Sequence, residues 1–98
     1  MIRVIPSPAA RADLDAIREY SIEQFSPEMA DAYFLGFDEV FDLLARHPFA
    51  GPETPEISKG LRCFTHLKHR IFYRVRTDVV IIVRIVHHAM DARRVLRG

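Results

Sequence analysis

The spacing of apolar residues changes twice along this chain, and each change marks a different kind of element. "IRVI", ahead of Pro6, is apolar at Ile2, Val4 and Ile5 and reads as a short first strand. From Ser7 the period lengthens: Ala10, Leu14, Ile17 and Tyr20 recur at intervals of four, three and three, one stripe of a helix. Ser7 can cap that helix, Pro8 suits its first position because the missing N–H would be unpaired there, and Asp13 and Asp15 lie early, toward the positive end of the dipole. Ser26 and Pro27 repeat the device. The second stripe is Ala30, Phe34, Phe37, Phe41 and Leu44, widened by Tyr33, Val40 and Leu43. Only a short link separates the two helices, which predicts an antiparallel hairpin.

"HPFAGPETPEISKG" carries three prolines and two glycines in 14 residues and reads as a loop. Beyond it the period falls to two. Leu61, Cys63, Thr65 and Leu67 share one face in "LRCFTHL"; Ile71, Tyr73 and Val75 alternate with Arg70, Phe72, Arg74 and Arg76 in "RIFYRVR". "TD" then turns the chain into "VVIIVRIV", an apolar strand of the kind covered on both faces. Three strands on short connections predict an antiparallel meander. The expected fold class is α+β, one domain over residues 1–98: an N-terminal strand and an antiparallel helical hairpin packed on one face of a three- to four-stranded antiparallel sheet.

Composition narrows the function classes. The longest uninterrupted apolar run, Val79 to Val83, is far short of the roughly 20 residues a spanning helix needs, so no membrane is expected. "MIRVIPS" is no secretory signal, and a single cysteine, Cys63, forms no internal disulfide; both fit a cytoplasmic protein. The net charge of +1 hides a polarity: residues 1–56 hold four basic against eleven acidic side chains, residues 57–98 ten basic against two acidic. Such a basic half suits an acidic partner, nucleic acid or an acidic protein segment, unless the two halves neutralise each other within the fold.

The candidate chemistry is concentrated in "RIVHHAMDARRVLRG", the last fifteen residues. A zinc site wants three or four converging ligands; His87 and His88, adjacent on a strand, would point to opposite faces, and no third ligand is evident near Asp91. Neither a metal nor another cofactor is expected. Cys63 on an apolar-alternating face reads as a small buried hydrophobe, and there is no phosphate loop or nucleophile elbow. Metal-free RNA cleavage needs a base, an acid and cations on the transition-state phosphorane, and Arg70, Arg74, Arg84, His66, His87 and His88 supply those residue types. Against it, Arg70, Arg74 and Arg76 also describe the solvated face of an antiparallel strand. Arg84 interrupts an apolar strand and calls for a carboxylate or backbone partner.

In their order, "PSPAARADLDAIREYS", "ARHPFAGPETPEISKGLRCFTH", "HRIFYRV" and "VVIIVRIVHHAMDARRVL" resemble the ParE toxins of bacterial type II toxin–antitoxin modules, in the RelE/ParE superfamily. The most specific parts are the HPxxG loop (His47, Pro48, Gly51), the strand Arg70, Ile71, Tyr73, Arg74, Val75, and Arg84, Ile85, His87 followed by Asp91 and Arg93. The resemblance covers essentially the whole chain and implies a helical hairpin on an antiparallel sheet. RelE-like members cleave mRNA on the ribosome. Arg70 matches one of their arginines, but Met90 stands near a second, Leu96 at a C-terminal tyrosine, and Leu61 and Cys63 near paired lysines; none of these can stabilise an anion or exchange a proton. The chain thus looks like the ParE branch, whose studied members poison DNA gyrase without acting as nucleases.

The resemblance further implies neutralisation by a ParD-like antitoxin with a ribbon-helix-helix N-terminus and an acidic, partly helical C-terminal segment, and contact with DNA only through that antitoxin. Arg62, Arg70 and Arg74 are the expected antitoxin-binding residues. Asp91, Arg93, Arg94 and Arg97, in the tail from Asp91 to Gly98, are the expected target contacts. The alternatives are a ribosome-dependent endoribonuclease using Arg70, Arg84 and His87 or His88, and a non-toxic interaction partner or co-repressor.

Overall fold

Ser7 and Ser26 start the two long helices through the same contact. In the computed structural model, which describes residues 1–97, Ser7 Oγ accepts the Ala10 N–H at 3.0 Å and Ser26 Oγ accepts the Met29 N–H at 3.1 Å. Each satisfies one of the N–H groups a helix start leaves unpaired. Strand β1 (Arg3–Pro6) leads into helix α1 (Pro8–Gln24), and helix α2 (Pro27–Arg46) brings the chain back beside the start of β1, where the Ile2 N–H bonds to the Ala45 carbonyl at 3.0 Å. After the loop come β2 (Arg62–His66), β3 (His69–Val75), β4 (Val79–His87) and a short helix α3 (Ala92–Arg97).

The sheet order is β1-β4-β3-β2. The three C-terminal strands form the expected antiparallel meander, with the two-residue turn at Thr77 and Asp78 closed by the Arg76 N–H on the Val79 carbonyl. β1 differs: it lies parallel to β4, pairing Arg3 with Val79 through Pro6 with Ile82. The sheet is therefore mixed, because the hairpin returns the chain to the end from which both β1 and β2 set out.

β4 is bulged as well as apolar on both faces. Phe72 pairs with Arg84 and Tyr73 with Ile82, so Val83 has no opposite number on β3. The extra residue switches the alternation. Val80, Ile82 and Ile85 join Phe37, Leu44, Ile71 and Tyr73 in the core under the hairpin, while Val83 and Val86 face the other side.

That other side is also covered, as the apolar run of β4 implied for that strand, but by elements the periodicity did not identify. Leu61, Cys63, Phe72, Val86 and Ala92 form a second core, closed over by Ile57 from the loop and by Val95 and Leu96 from α3. Tyr73 holds the loop down: its Oη accepts the Gly51 N–H at 2.8 Å. A Cβ at Gly51 would stand 2.6 Å from the Cys63 carbonyl oxygen, so this close approach requires glycine. Among the described residues, no helix is long and apolar enough to cross a membrane.

Candidate functional site

Two concave surfaces lie on opposite faces of the sheet. The larger, a groove of about 710 Å³, runs between the far end of the helical hairpin and the β2–β3 turn, and its walls include Ile17, Tyr20, Phe25, Met29, Leu67 and His87. It exists because the apolar stripe of α1 outruns the sheet beneath it. Ala10 is buried and Leu14 and Ile17 half-buried, but Tyr20 is 61% exposed, and Phe25 and Met29 at the hairpin tip are almost as open. Leu67 stands 71% exposed on the opposite wall, at the only non-glycine positive φ among the described residues, 52°.

At one end of this groove two imidazoles meet a phenol, and a third lies behind them. His66 and His69 pair across β2 and β3 and their rings gather round Tyr33 and Phe37 of α2, while His87, paired with His69 across β3 and β4, sets its ring edge-on to that of His69. The Tyr33 hydroxyl and His69 Nδ1 are hydrogen-bonded. Burial holds the Tyr33 phenol above its ordinary range. His69 is pushed down to about 4, first by burial and then by the neighbouring His87, His66 and His88, with Asp13 opposing. At neutral pH this is an uncharged acid beside an uncharged base. His66 Nε2 is buried without a hydrogen-bond partner, its ring tip set against Gly36, where a Cβ would come within 2.5 Å.

The smaller concavity, about 310 Å³, lies over the second core between the 56–61 loop and α3. Ile57, Leu61, Val83 and Leu96 supply its apolar part, and Arg74, Arg93 and Arg97 its cationic part. Arg93 and Arg97, four residues apart, share one side of α3.

Of the residues expected to cleave RNA, His87 and His88 lie together while Arg70 and Arg84 are engaged elsewhere. Arg84 is the most tightly held: Nε and Nη2 donate to the two carboxylate oxygens of Asp13 at 2.8 and 2.9 Å, at the sheet edge between α1 and α3. Asp13 thus serves Arg84, not the dipole of α1, whose first turn holds no acid. Arg70 pairs with Val86 and lies over the Phe72 ring, 4.8 Å from its centroid, on the second face. His87 is on the groove side. It does not diverge from His88 as an extended strand would require; β4 ends at His87, and the two rings stack with centroids 4.5 Å apart. Leu61, Cys63 and Leu96, which stand where the resemblance puts nuclease side chains, pack into the second core, and burial raises the Cys63 thiol.

Other expected contacts already have work within the chain. Arg62 donates to the Gly51 carbonyl at 2.7 Å, approaches Glu53 and stacks on Phe49, pinning the loop. Arg74 donates to the Lys59 carbonyl and to Ser58 Oγ. Asp91 accepts the Arg93 N–H at 3.0 Å and so caps α3. Arg93, Arg94 and Arg97 are exposed; Gly98, the last residue of the expected target-facing tail, lies outside the described residues. Sequence reasoning passed over Tyr33, His69 and the apolar groove wall. The one available signal was that the stripe of α1 and the residues around the second cap, Phe25 and Met29, are more apolar than a hairpin tip requires. Among the described residues, no three His, Cys, Asp or Glu side chains are placed to hold a metal ion.

Comparison with known proteins agrees with this architecture. Residues 4–92 match the family model described as the ParE toxin of the type II toxin–antitoxin system, parDE. The chain is 36% identical over 87 residues to Toxin ParE1 of Caulobacter vibrioides, covering 89% of this chain and 90% of that protein. It is 33% identical over 93 residues to Toxin ParE1 of Mycobacterium tuberculosis, covering 94% and 95%. Among solved structures, a chain of the chromosomal ParDE TA system from P. aeruginosa superposes with a TM-score of 0.76 at 26% identity, over 89% of this chain and 96% of that one. A chain of the toxin–antitoxin complex RelBE2 from Mycobacterium tuberculosis, at 22% identity over 88% and 96%, shares the fold with a TM-score of 0.63. With its hairpin, mixed sheet and C-terminal helix, this chain belongs to the family of ParE toxins of type II toxin–antitoxin systems, within the RelE/ParE superfamily.

Proposed function

We propose that this toxin acts in the cytoplasm by binding and inhibiting DNA gyrase, not by cutting RNA, and that a ParD-like antitoxin neutralises it. The observation that carries the reading is the second core. Where a ribosome-dependent nuclease of this superfamily would present reactive side chains, Leu61, Cys63 and Leu96 are packed with Phe72 and Val86, and Arg84 is tied to Asp13. A surface of this kind binds; it has no acid and base facing one another across a substrate phosphate. The exposed Arg93 and Arg97 of α3, which line the smaller cleft, are the proposed contacts with the target; Arg94 is exposed on the same helix but lies off that cleft.

The antitoxin's amphipathic C-terminal segment fits the hairpin groove, laying its apolar side on Tyr20, Phe25, Met29 and Leu67 and its carboxylates toward Lys68. None of the three arginines expected to meet it lines this groove: Arg62 is engaged by the loop, Arg70 lies over the Phe72 ring on the second face, and Arg74 lines the smaller cleft.

The test is a supercoiling assay with purified toxin and gyrase, beside a translation assay scored for mRNA cuts. Inhibited supercoiling or trapped cleaved DNA, with intact mRNA, is the expected result. Toxin-dependent cuts lost on His87→Ala or His88→Ala would overturn it. Survival of cells expressing the toxin alone would point instead to a binding partner or co-repressor. Deleting α3 does not isolate target contacts, because Ala92, Val95 and Leu96 cover the second core. The discriminating variant keeps the helix and reverses Arg93 and Arg97 to glutamate.

A further inference from the structure

We propose that the cleft between the 56–61 loop and α3 docks an acidic segment of the toxin's protein target, an apolar side chain of that segment entering the cleft between Arg74, Arg93 and Arg97. The inference rests on the binding-inhibitor reading above and goes beyond it by naming the surface and the chemistry of what it recognises.

Three observations carry it. First, the cleft is amphipathic: three guanidinium groups surround Ile57, Leu61, Val83 and Leu96, with Glu56 the one acid on its wall. Arg93 and Arg97 make no ion pair or side-chain hydrogen bond among the described residues, and Arg74 uses two of its N–H groups on a carbonyl and a hydroxyl, leaving its charge uncompensated. Second, the cleft is held open by the fold. The hydrogen bonds of Arg74 to Ser58 and Lys59 fix the loop wall, and Ala92, Val95 and Leu96 fix α3 against the second core. A preformed cleft spares a partner the ordering entropy of building one. Third, Arg94 does not line the cleft, whereas Arg93 and Arg97 do.

These features favour a peptide over nucleic acid. A phosphate backbone would gain from the arginines but nothing from the apolar part. Carboxylates meet guanidinium groups in a bidentate geometry, and an apolar residue between them would bury the exposed surface of Val83 and Leu96. A volume of about 310 Å³ stands at the small end of the roughly 300–1,000 Å³ range of ligand pockets, suited to one anchoring side chain with its neighbours. The cleft lies on the opposite face of the sheet from the hairpin groove, so both can be occupied at once.

The test has two arms on the full-length toxin. In the first, an acetylated Glu-Glu-Leu-Glu-Glu peptide and a short DNA duplex are titrated separately at the same salt concentration, and methyl resonances are followed by NMR. The peptide should shift Ile57, Val83 and Leu96 and leave Leu67 and Met29 in place. Shifts of the cleft methyls by duplex and not by peptide, or by neither, overturn the proposal. In the second arm, Arg93→Glu and Arg97→Glu should each weaken gyrase inhibition by on the order of tenfold while Arg94→Glu leaves it nearly unchanged; thermal melting checks that all three variants fold. Equal loss from Arg94→Glu sinks the cleft but spares gyrase as target. Wild-type toxin that binds the peptide, kills with the same ranking of variants and leaves gyrase active sinks gyrase but spares the cleft.

Discussion

Asp13 and Arg84, 71 positions apart in the chain, form a two-pronged ion pair that closes the sheet where β1 ends. β1 pairs with β4 only as far as Ile82, and beyond it the Asp13 carboxylate takes the place of a strand: the Oδ2 that accepts from Arg84 Nε also accepts the Ile85 N–H at 2.9 Å. Asp13 is 14% exposed and Arg84 30% in their side chains, so water competes only partly for either. The pair therefore joins α1 to the sheet at the point where the bulge at Val83 redirects β4.

Asp13→Ala is expected to destabilise the toxin by about 2–4 kcal/mol, because it strands a partly buried guanidinium and a backbone N–H together. Asp13→Asn keeps an acceptor and should lose less. Replacing both residues, Asp13→Leu with Arg84→Met, should recover much of the loss by removing the stranded charge. Urea unfolding of the four proteins measures this; a double variant no better than Asp13→Ala would refute the account.

His69 makes stability depend on pH in one direction. Its ionisation lies at about 4 in the folded chain against an ordinary 6.5. Between those values the unfolded chain holds a proton that the folded one does not, so stability falls as pH drops from 6.5 toward 4, and this group adds no further change below 4. His69→Gln should flatten the slope of unfolding free energy against pH in that window. An NMR titration should place the His69 midpoint near 4, and a midpoint near 6.5 would contradict the burial argument.

Gly36 and His66 should be coupled. A methyl group at position 36 would lie 2.5 Å from the imidazole tip, so Gly36→Ala should cost about 1–3 kcal/mol by overpacking despite alanine's better helix propensity. In a His66→Ala background the same change should be neutral or stabilising, since the obstruction and the unpartnered Nε2 go together. A thermal-unfolding double-mutant cycle gives the coupling directly.

Leu67 holds a left-handed backbone at φ 52° with its side chain largely in water, a position that asparagine or glycine occupies with less strain. Leu67→Asn should raise toxin stability by roughly 0.5–1 kcal/mol. If the side chain is kept for the groove's occupant, the same variant should bind antitoxin more weakly. Calorimetric melting and titration with the cognate antitoxin read the two effects separately; unchanged affinity would remove Leu67 from the docking surface.

Much of the fold was legible in the sequence because the relevant forces are local. Ser7–Pro8 and Ser26–Pro27 start helices through contacts three residues away, and the 3.6- and 2-residue periods report which neighbours share a face. The Gly- and Pro-rich stretch had to be loop, and Arg84 had to have a partner, because an unpaired guanidinium in an apolar strand is costly. The candidate sites were much less legible. The arginines of α3 could be named, but not the cleft that uses two of them, and the histidine pair was assigned to opposite faces on the assumption that β4 continues past His87.

The sequence by itself determined the first strand, the two long helices and the three C-terminal strands, their order, and the face buried under the hairpin. Only the tertiary structure decided that β1 runs parallel to β4, that Val83 bulges, that Asp13 is the partner of Arg84, and that α3 seals a second core while its arginines line a cleft. The physical reason is the range of the interactions. Helix caps and hydrophobic alternation act between near neighbours and leave a periodic trace in the chain, whereas strand pairing, ion pairing and groove formation join residues tens of positions apart and leave none.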